Sequence, residues 1–224
     1  GAGLAAIVAA YPKNKAPGLD GWHVEEFKSL PQAAWDSLAA FLDRVERLRR
    51  WPRELRQTNV VMLPQPGTRG VPGTRRPINV LPMVYRLWGK ARRPVLQGWR
   101  AQHRVANPHV CTTGALDAAV QIALELDMVR QGEGVILLSL DLSKAYERVP
   151  FDSLRREAQA EGFPPCLLDL ALDMYSAPRR VTLRGYTSDQ GLPHAGIPAG
   201  CPLARDLLDA FLPRGIRGLG GAGH

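Results

Sequence analysis

Apolar positions recur every three to four residues along several stretches of the chain, and each stretch predicts a helix. Trp35, Leu38, Leu42 and Val45 share one face of a helix over 31–50, with Pro31 in its first turn and Pro52 beyond its end. Residues 84–93 predict another helix, which Pro94 stops. Leu116, Val120, Ala123 and Leu126 mark one face of a helix over 113–131, capped by Thr112 or Thr113. Further helices are expected over 151–161, 165–175 and 202–212. Short apolar runs at 59–63, 78–81 and 180–183 predict strands. The first two are joined by a Pro- and Gly-rich turn and are expected to run antiparallel. Residues 135–140, apolar but for Ser139, put apolar side chains on both faces, as in a central covered strand. Residues 11–21 and 185–200 are loop-like, no internal repeat is present, and the Gly-rich residues from 213 on predict a disordered tail.

Composition sets the class. The chain has 224 residues, 45% of them hydrophobic and 22% charged, which is globular rather than disordered. No apolar run approaches the roughly 20 residues that span a bilayer, so no membrane partner is expected. The first ten residues are small and apolar without a basic leader, which argues against a signal peptide. The chain opens without Met, as a fragment of something longer would. Cys111, Cys166 and Cys201 are far apart and lack zinc spacing, so reduced and mostly buried thiols in an intracellular setting are expected.

Charge changes the picture. Residues 44–104 carry a net +13 and the remainder a net −5. Such a block attracts a polyanion by counterion release, or it is a solvated basic face. Trp51, Tyr85, Trp88 and Trp99 lie inside it, at spacings that favour core packing over base stacking.

The candidate chemistry lies where the 135–140 strand ends. Asp141 is delivered there, followed by Leu-Ser-Lys-Ala-Tyr146-Glu-Arg-Val. Joining nucleotides calls for two divalent ions about 4 Å apart, held by carboxylates on a rigid element. Three other segments stand in a definite order around it. Residues 195–204 read Ala-Gly-Ile-Pro-Ala-Gly-Cys-Pro-Leu-Ala; residues 63–67 read Leu-Pro-Gln-Pro-Gly, with Arg75-Arg76-Pro77-Ile78 beyond; residues 13–21 read Lys-Asn-Lys-Ala-Pro-Gly-Leu-Asp-Gly.

Together these segments resemble the reverse transcriptases of non-LTR (LINE-type) retrotransposons, over roughly residues 11–212. The resemblance implies an α+β right-hand polymerase fold, with fingers over 1–134, a partial palm over 135–212 and a tail over 213–224. It implies that Asp141 ligates Mg²⁺ (or Mn²⁺) and that Tyr146 stands under the incoming sugar and excludes a 2′-hydroxyl. Arg76, with Arg75 as a neighbour, would hold the triphosphate through bidentate donors. Gly196, Pro198 and Gly200 would form the turn that supports the template–primer. The implied partners are an RNA template, a DNA primer, dNTPs and other domains of a longer polyprotein, with the nucleus as the parent's setting.

The sequence departs from the family at Gln65, where Lys is usual, at Ala199 for Gln, at Ala204 for Ser, and at Glu147 for Asp. The family's second catalytic motif, an Asp-Asp pair, is not among the 224 residues, so the expectation is a chain without polymerase activity by itself. Two alternatives remain: a non-catalytic nucleic-acid-binding remnant, or a product whose unpaired strand edges prevent stable folding.

Overall fold

The computed structural model describes residues 1–64, 75–106, 119–120, 122–124, 126–127 and 142–220. The expected strand over 135–140, Asp141, Gln65 and Cys111 lie outside the described residues, as does most of the expected 113–131 helix, whose described residues are helical.

The N-terminal half is helical up to a strand pair. Helix α1 (Ala2–Ala9) and the short α2 (Val24–Lys28) pack with α3 (Gln32–Leu48). On α3 the expected stripe is inward: Trp35, Leu42 and Val45 are buried and Leu38 is partly so. Strands β1 (Thr58–Leu63) and β2 (Arg76–Val80) then pair antiparallel, with Leu63 opposite Arg76 and Asn59 opposite Val80.

Helix α4 (Met83–Ala91) does not end the helical stretch at Pro94. A second helix, α5 (Arg93–Ala106), starts at once, with Pro94 in its first turn. Proline is tolerated there because first-turn N–H groups have no intrahelical acceptor. Beyond residue 142, α6 (Phe151–Ala160) and α7 (Pro165–Tyr175) fall where their periodicity put them, and β3 (Arg179–Leu183), β4 (Tyr186–Thr187) and α8 (Ala204–Gly220) follow.

The sheet order is β2-β1-β3-β4. β3 lies parallel to β1, with Thr58 opposite Arg179, and antiparallel to β4. The architecture is therefore mixed α and β around a small mixed sheet, compatible with the α+β expectation. No helix of the described residues is long and apolar enough to cross a membrane.

The core joins the two halves of the chain. Trp51, Tyr85, Trp88 and Trp99 are all buried. Trp51 meets Tyr85 and Trp88 edge-on, each with ring centroids 5.4 Å away, and its indole N–H donates to the carbonyl of Leu170 at 3.1 Å. The Trp99 N–H donates to the carbonyl of Glu161 at 3.0 Å. A buried indole needs such an acceptor, and each acceptor here comes from the other half of the chain. The charge asymmetry is used the same way. Arg49 pairs with Asp169, Arg56 with Asp173 and Arg100 with Asp206, so part of the basic block docks the acidic half.

The expected tail over 213–224 needs correction over its described residues, because α8 continues through Pro213 to Gly220; residues 221–224 lie outside the described residues. Pro213 has no N–H to give the carbonyl four residues back, on Asp209. That carbonyl is met instead by Nε2 of His103 on α5, at 3.1 Å. A carbonyl only accepts, so Nε2 carries the proton in this contact. Pro213 is itself buried, and Arg214 reaches Glu157 on α6 at 3.3 Å.

Candidate nucleotide-site turn

Ala195 to Ala204 forms a loop held from four directions. On one side lies the segment after Asp141, residues 143–148, which forms turns with Lys144 at φ +53°. The amide of Gly196 donates to the carbonyl of Val149 at 2.8 Å, that of Ile197 to the carbonyl of Tyr146 at 2.8 Å, and Pro150 bridges Ala195. On the other side lies β2, where the amide of Asn79 donates to the carbonyl of Ala199 at 3.2 Å.

Both glycines are required by their geometry. Gly196 has φ +100° and Gly200 φ +96°, a region that side chains disfavour. A Cβ on Gly196 would stand 3.1 Å from the carbonyl oxygen of Glu147, and one on Gly200 3.1 Å from that of Asn79. Gly196 and Pro198 are buried, so the close approach that Gly196 permits is of the chain to itself. Gly200 is exposed.

The third and fourth constraints come from helices. The Cys201 thiol is buried, with the Tyr85 hydroxyl of α4 at 3.2 Å and the Tyr175 hydroxyl of α7 donating to it at 3.0 Å. Burial pushes all three groups above their ordinary pKa values, so each stays protonated and the cluster stays uncharged. Gly89 of α4 lets Pro202 pack close, since a Cβ there would come within 2.9 Å of it. The Arg179 guanidinium, at the start of β3, donates to the carbonyls of Tyr175 at 2.9 Å and Gly196 at 3.3 Å. Burial depresses its pKa.

The remaining sequence candidates fall around this turn. Arg76 is exposed at the start of β2, three residues before Asn79, or roughly 10 Å along a strand. Arg75 is half-buried and turns back to donate to the carbonyl of Met62 at 3.4 Å. Tyr146 is half-buried against the core. Its hydroxyl is pushed up by burial and then by the Asp209 carboxylate, against the pull of Arg205.

Asp206 and Asp209 do not make a second acidic site. Asp206 is fully buried and held by two Arg100 nitrogens, one contact at 2.7 Å. Burial raises the pKa of Asp209. Among the described residues no three metal-ligating side chains converge.

The 13–21 segment has a role its spelling did not reveal. One Asp20 carboxylate oxygen accepts from the amides of Met83 at 2.6 Å and Val84 at 3.3 Å, which are the first two residues of α4. It thus caps the helix that carries Tyr85 and Gly89. A Cβ on Gly18 would strike the carbonyl of Leu81 at 2.7 Å. Arg86 reaches back to the carbonyl of Ala16 at 2.8 Å, and Lys90 lies 3.3 Å over the Tyr11 ring.

No family model matches the sequence. A 149 kDa protein of transposon TX1 from Xenopus laevis is 28% identical over 212 residues, which is 91% of this chain and 16% of that protein. A probable RNA-directed DNA polymerase from transposon BS of Drosophila melanogaster is 24% identical over 217 residues, 92% of this chain and 24% of that protein. Both relatives are transposon proteins, one of them named as a probable RNA-directed DNA polymerase, and the chain is similar to one region of each. The chain spans less than a quarter of the length of either relative.

Sequence reading named the glycines of the turn and missed the groups that hold it. The side chains of Arg179, Tyr85 and Tyr175 and the backbone of Asn79 carry no motif. The one local signal was Cys201, a thiol inside a motif, whose partners lie on distant elements.

Proposed function

We propose that the chain forms the fingers and the first part of the palm of a right-hand polymerase, from a protein that extends a DNA primer on an RNA template with dNTPs. One observation carries this reading. The Gly196–Gly200 turn is hydrogen-bonded both to the Tyr146–Val149 segment and to β2, so three motifs that lie far apart in sequence meet at one place.

In this reading Arg76 grips the triphosphate from the exposed start of β2, and Arg75 braces the hairpin. Tyr146 bounds the sugar position. Gly200, at the exposed corner of the turn, meets the template–primer, while Gly196 and Pro198 shape that corner from within. Asp141 is the residue we assign to Mg²⁺ (or Mn²⁺), which when bound would stabilise charge on the reacting phosphate oxygens. The described residues offer no converging ligand set.

The substrate pocket is tested by binding. Primed RNA should bind the chain more tightly when the matched dNTP is present, and Arg76→Ala should abolish that tightening. Salt-sensitive binding with no response to dNTP would favour the non-catalytic remnant instead. Against the remnant stands the internal use of Arg49, Arg56, Arg92 and Arg100, which are ion-paired rather than presented as one basic face. A single catalytic carboxylate should not polymerise, so the chain by itself should incorporate no nucleotide. Incorporation that Asp141→Ala abolishes would refute that.

A further inference from the structure

At the opposite end of β1 from Arg76, a cleft of about 950 Å³ opens between α3, residues 50–57 that follow it, and the chain at Pro178, Gln190 and Leu192. Phe41, Arg44, Val45 and Leu48 line its α3 wall. Their spacing is that of one helical stripe, running roughly 10 Å at 1.5 Å per residue. Both leucines of the lining are set out in solvent, Leu48 at 64% and Leu192 at 68% exposure.

The charge in this cleft has one sign. Arg44, Arg50, Arg53 and Arg56 line it, and no Asp or Glu does. Arg56 is occupied by Asp173. Arg44, Arg50 and Arg53 are exposed and have no carboxylate partner among the described residues, although their neighbour Arg49 has one. An apolar stripe flanked by unpaired guanidinium groups is complementary to a ligand with an apolar face and acidic flanks.

We propose that this cleft docks an acidic amphipathic helix of a protein partner. Its apolar side chains lie along the α3 stripe and against Leu192, and its carboxylates meet Arg44, Arg50 and Arg53. This is the helix-in-groove mode, with guanidinium–carboxylate pairs fixing register. A nucleic-acid strand fits less well. Its phosphates would use the arginines, but its bases need flat faces to stack on. The tryptophan of the wall, Trp51, is only 1% exposed, enclosed by Tyr85 and Trp88, which leaves the partly buried Phe41 as the one accessible ring of the lining and no run of faces for successive bases. The leucines would then stay uncovered. The proposal is independent of the polymerase reading, since no residue assigned to nucleotide or template lines this cleft.

The test selects a phage-displayed library of random peptides, about four helical turns long, on the full folded chain. Enriched sequences are then synthesised with a fluorophore and titrated by anisotropy at physiological salt. The expected winners carry Asp or Glu beside apolar residues at helical spacing. Joint Arg44→Glu and Arg53→Glu should weaken them by about tenfold or more, as should Leu192→Asp. All three positions are exposed, and circular dichroism checks that the variants fold; Leu192→Asp lies on a separate element and keeps the test decisive if the arginine variant unfolds. Failure to enrich any sequence, enrichment of basic peptides, or acidic winners indifferent to these variants would overturn the proposal. So would an oligouridine RNA that displaces the peptide and weakens equally in the variants.

Discussion

The amide of Ile197 donates to the carbonyl of Tyr146 at 2.8 Å, and one residue earlier the amide of Gly196 reaches Val149. These two bonds fasten the Gly-rich turn to the segment that follows Asp141. They form only because Gly196 can hold φ +100° with its Cα against the Glu147 backbone.

Gly196→Ala should therefore cost more than positive-φ strain alone. Gly185 provides the control: its φ is +85° and a Cβ there meets nothing within 4 Å. Gly185→Ala should lose on the order of 1 kcal/mol from backbone strain. Gly196→Ala adds displacement of the Glu147 carbonyl and should lose clearly more. Urea unfolding of the two variants checks the order, and equal losses would show that the turn has room to give.

Arg100 and Asp206 form the buried end of the charge asymmetry, with the Asp206 side chain 1% exposed and that of Arg100 32%. Removing only the arginine strands a desolvated carboxylate. Arg100→Met should destabilise by about 3 kcal/mol. Adding Asp206→Leu should recover most of that loss, because the uncompensated charge goes with it. A double-mutant cycle in chemical denaturation measures this, and no recovery would mean that packing, not charge, sets the cost.

His103 serves the carbonyl that Pro213 leaves without a partner, and its ring stacks on Trp99 with centroids 4.4 Å apart. His103→Phe keeps a flat ring and removes the donor. It should cost about 1–3 kcal/mol for the unmet carbonyl. Hydrogen exchange should show the loss concentrated in α8 after Asp209. Uniform loss across the chain would point instead to the contact of the His103 Nδ1 with Glu161, 3.4 Å away.

Asp20 offers a pH test. Its carboxyl is pushed up by burial, and the amides of Val84 and Met83 only partly offset this. The folded chain then holds that proton more tightly than the unfolded chain does. The contribution of Asp20 to stability is most favourable at low pH. It declines as pH rises from the ordinary carboxylate pKa through the raised one, and is flat above. Asp20→Asn keeps an acceptor for the helix cap without the titration. Stability of the wild type relative to Asp20→Asn should fall with rising pH across that window. A difference that rose with pH would reverse the sign of the shift. Asp20→Ala, which loses the cap, should cost about 1 kcal/mol at neutral pH.

Helices α3, α6 and α7 and strands β1 to β3 were legible in the sequence because each is written in local periodicity, with proline marking several ends. The buried aromatics of the basic block were legible for the same reason. So were the two glycines of the turn, whose residue type states a backbone need. Tertiary structure alone decided the parallel pairing of β1 with β3, the capping of α4 by Asp20, and the survival of α8 past Pro213. It also decided which arginines are spent on Asp169, Asp173 and Asp206. Each of these joins groups far apart along the chain, and local propensity carries no term for a partner that distant. A carbonyl orphaned by proline reads as a helix end until a histidine from another helix arrives to accept the role of donor.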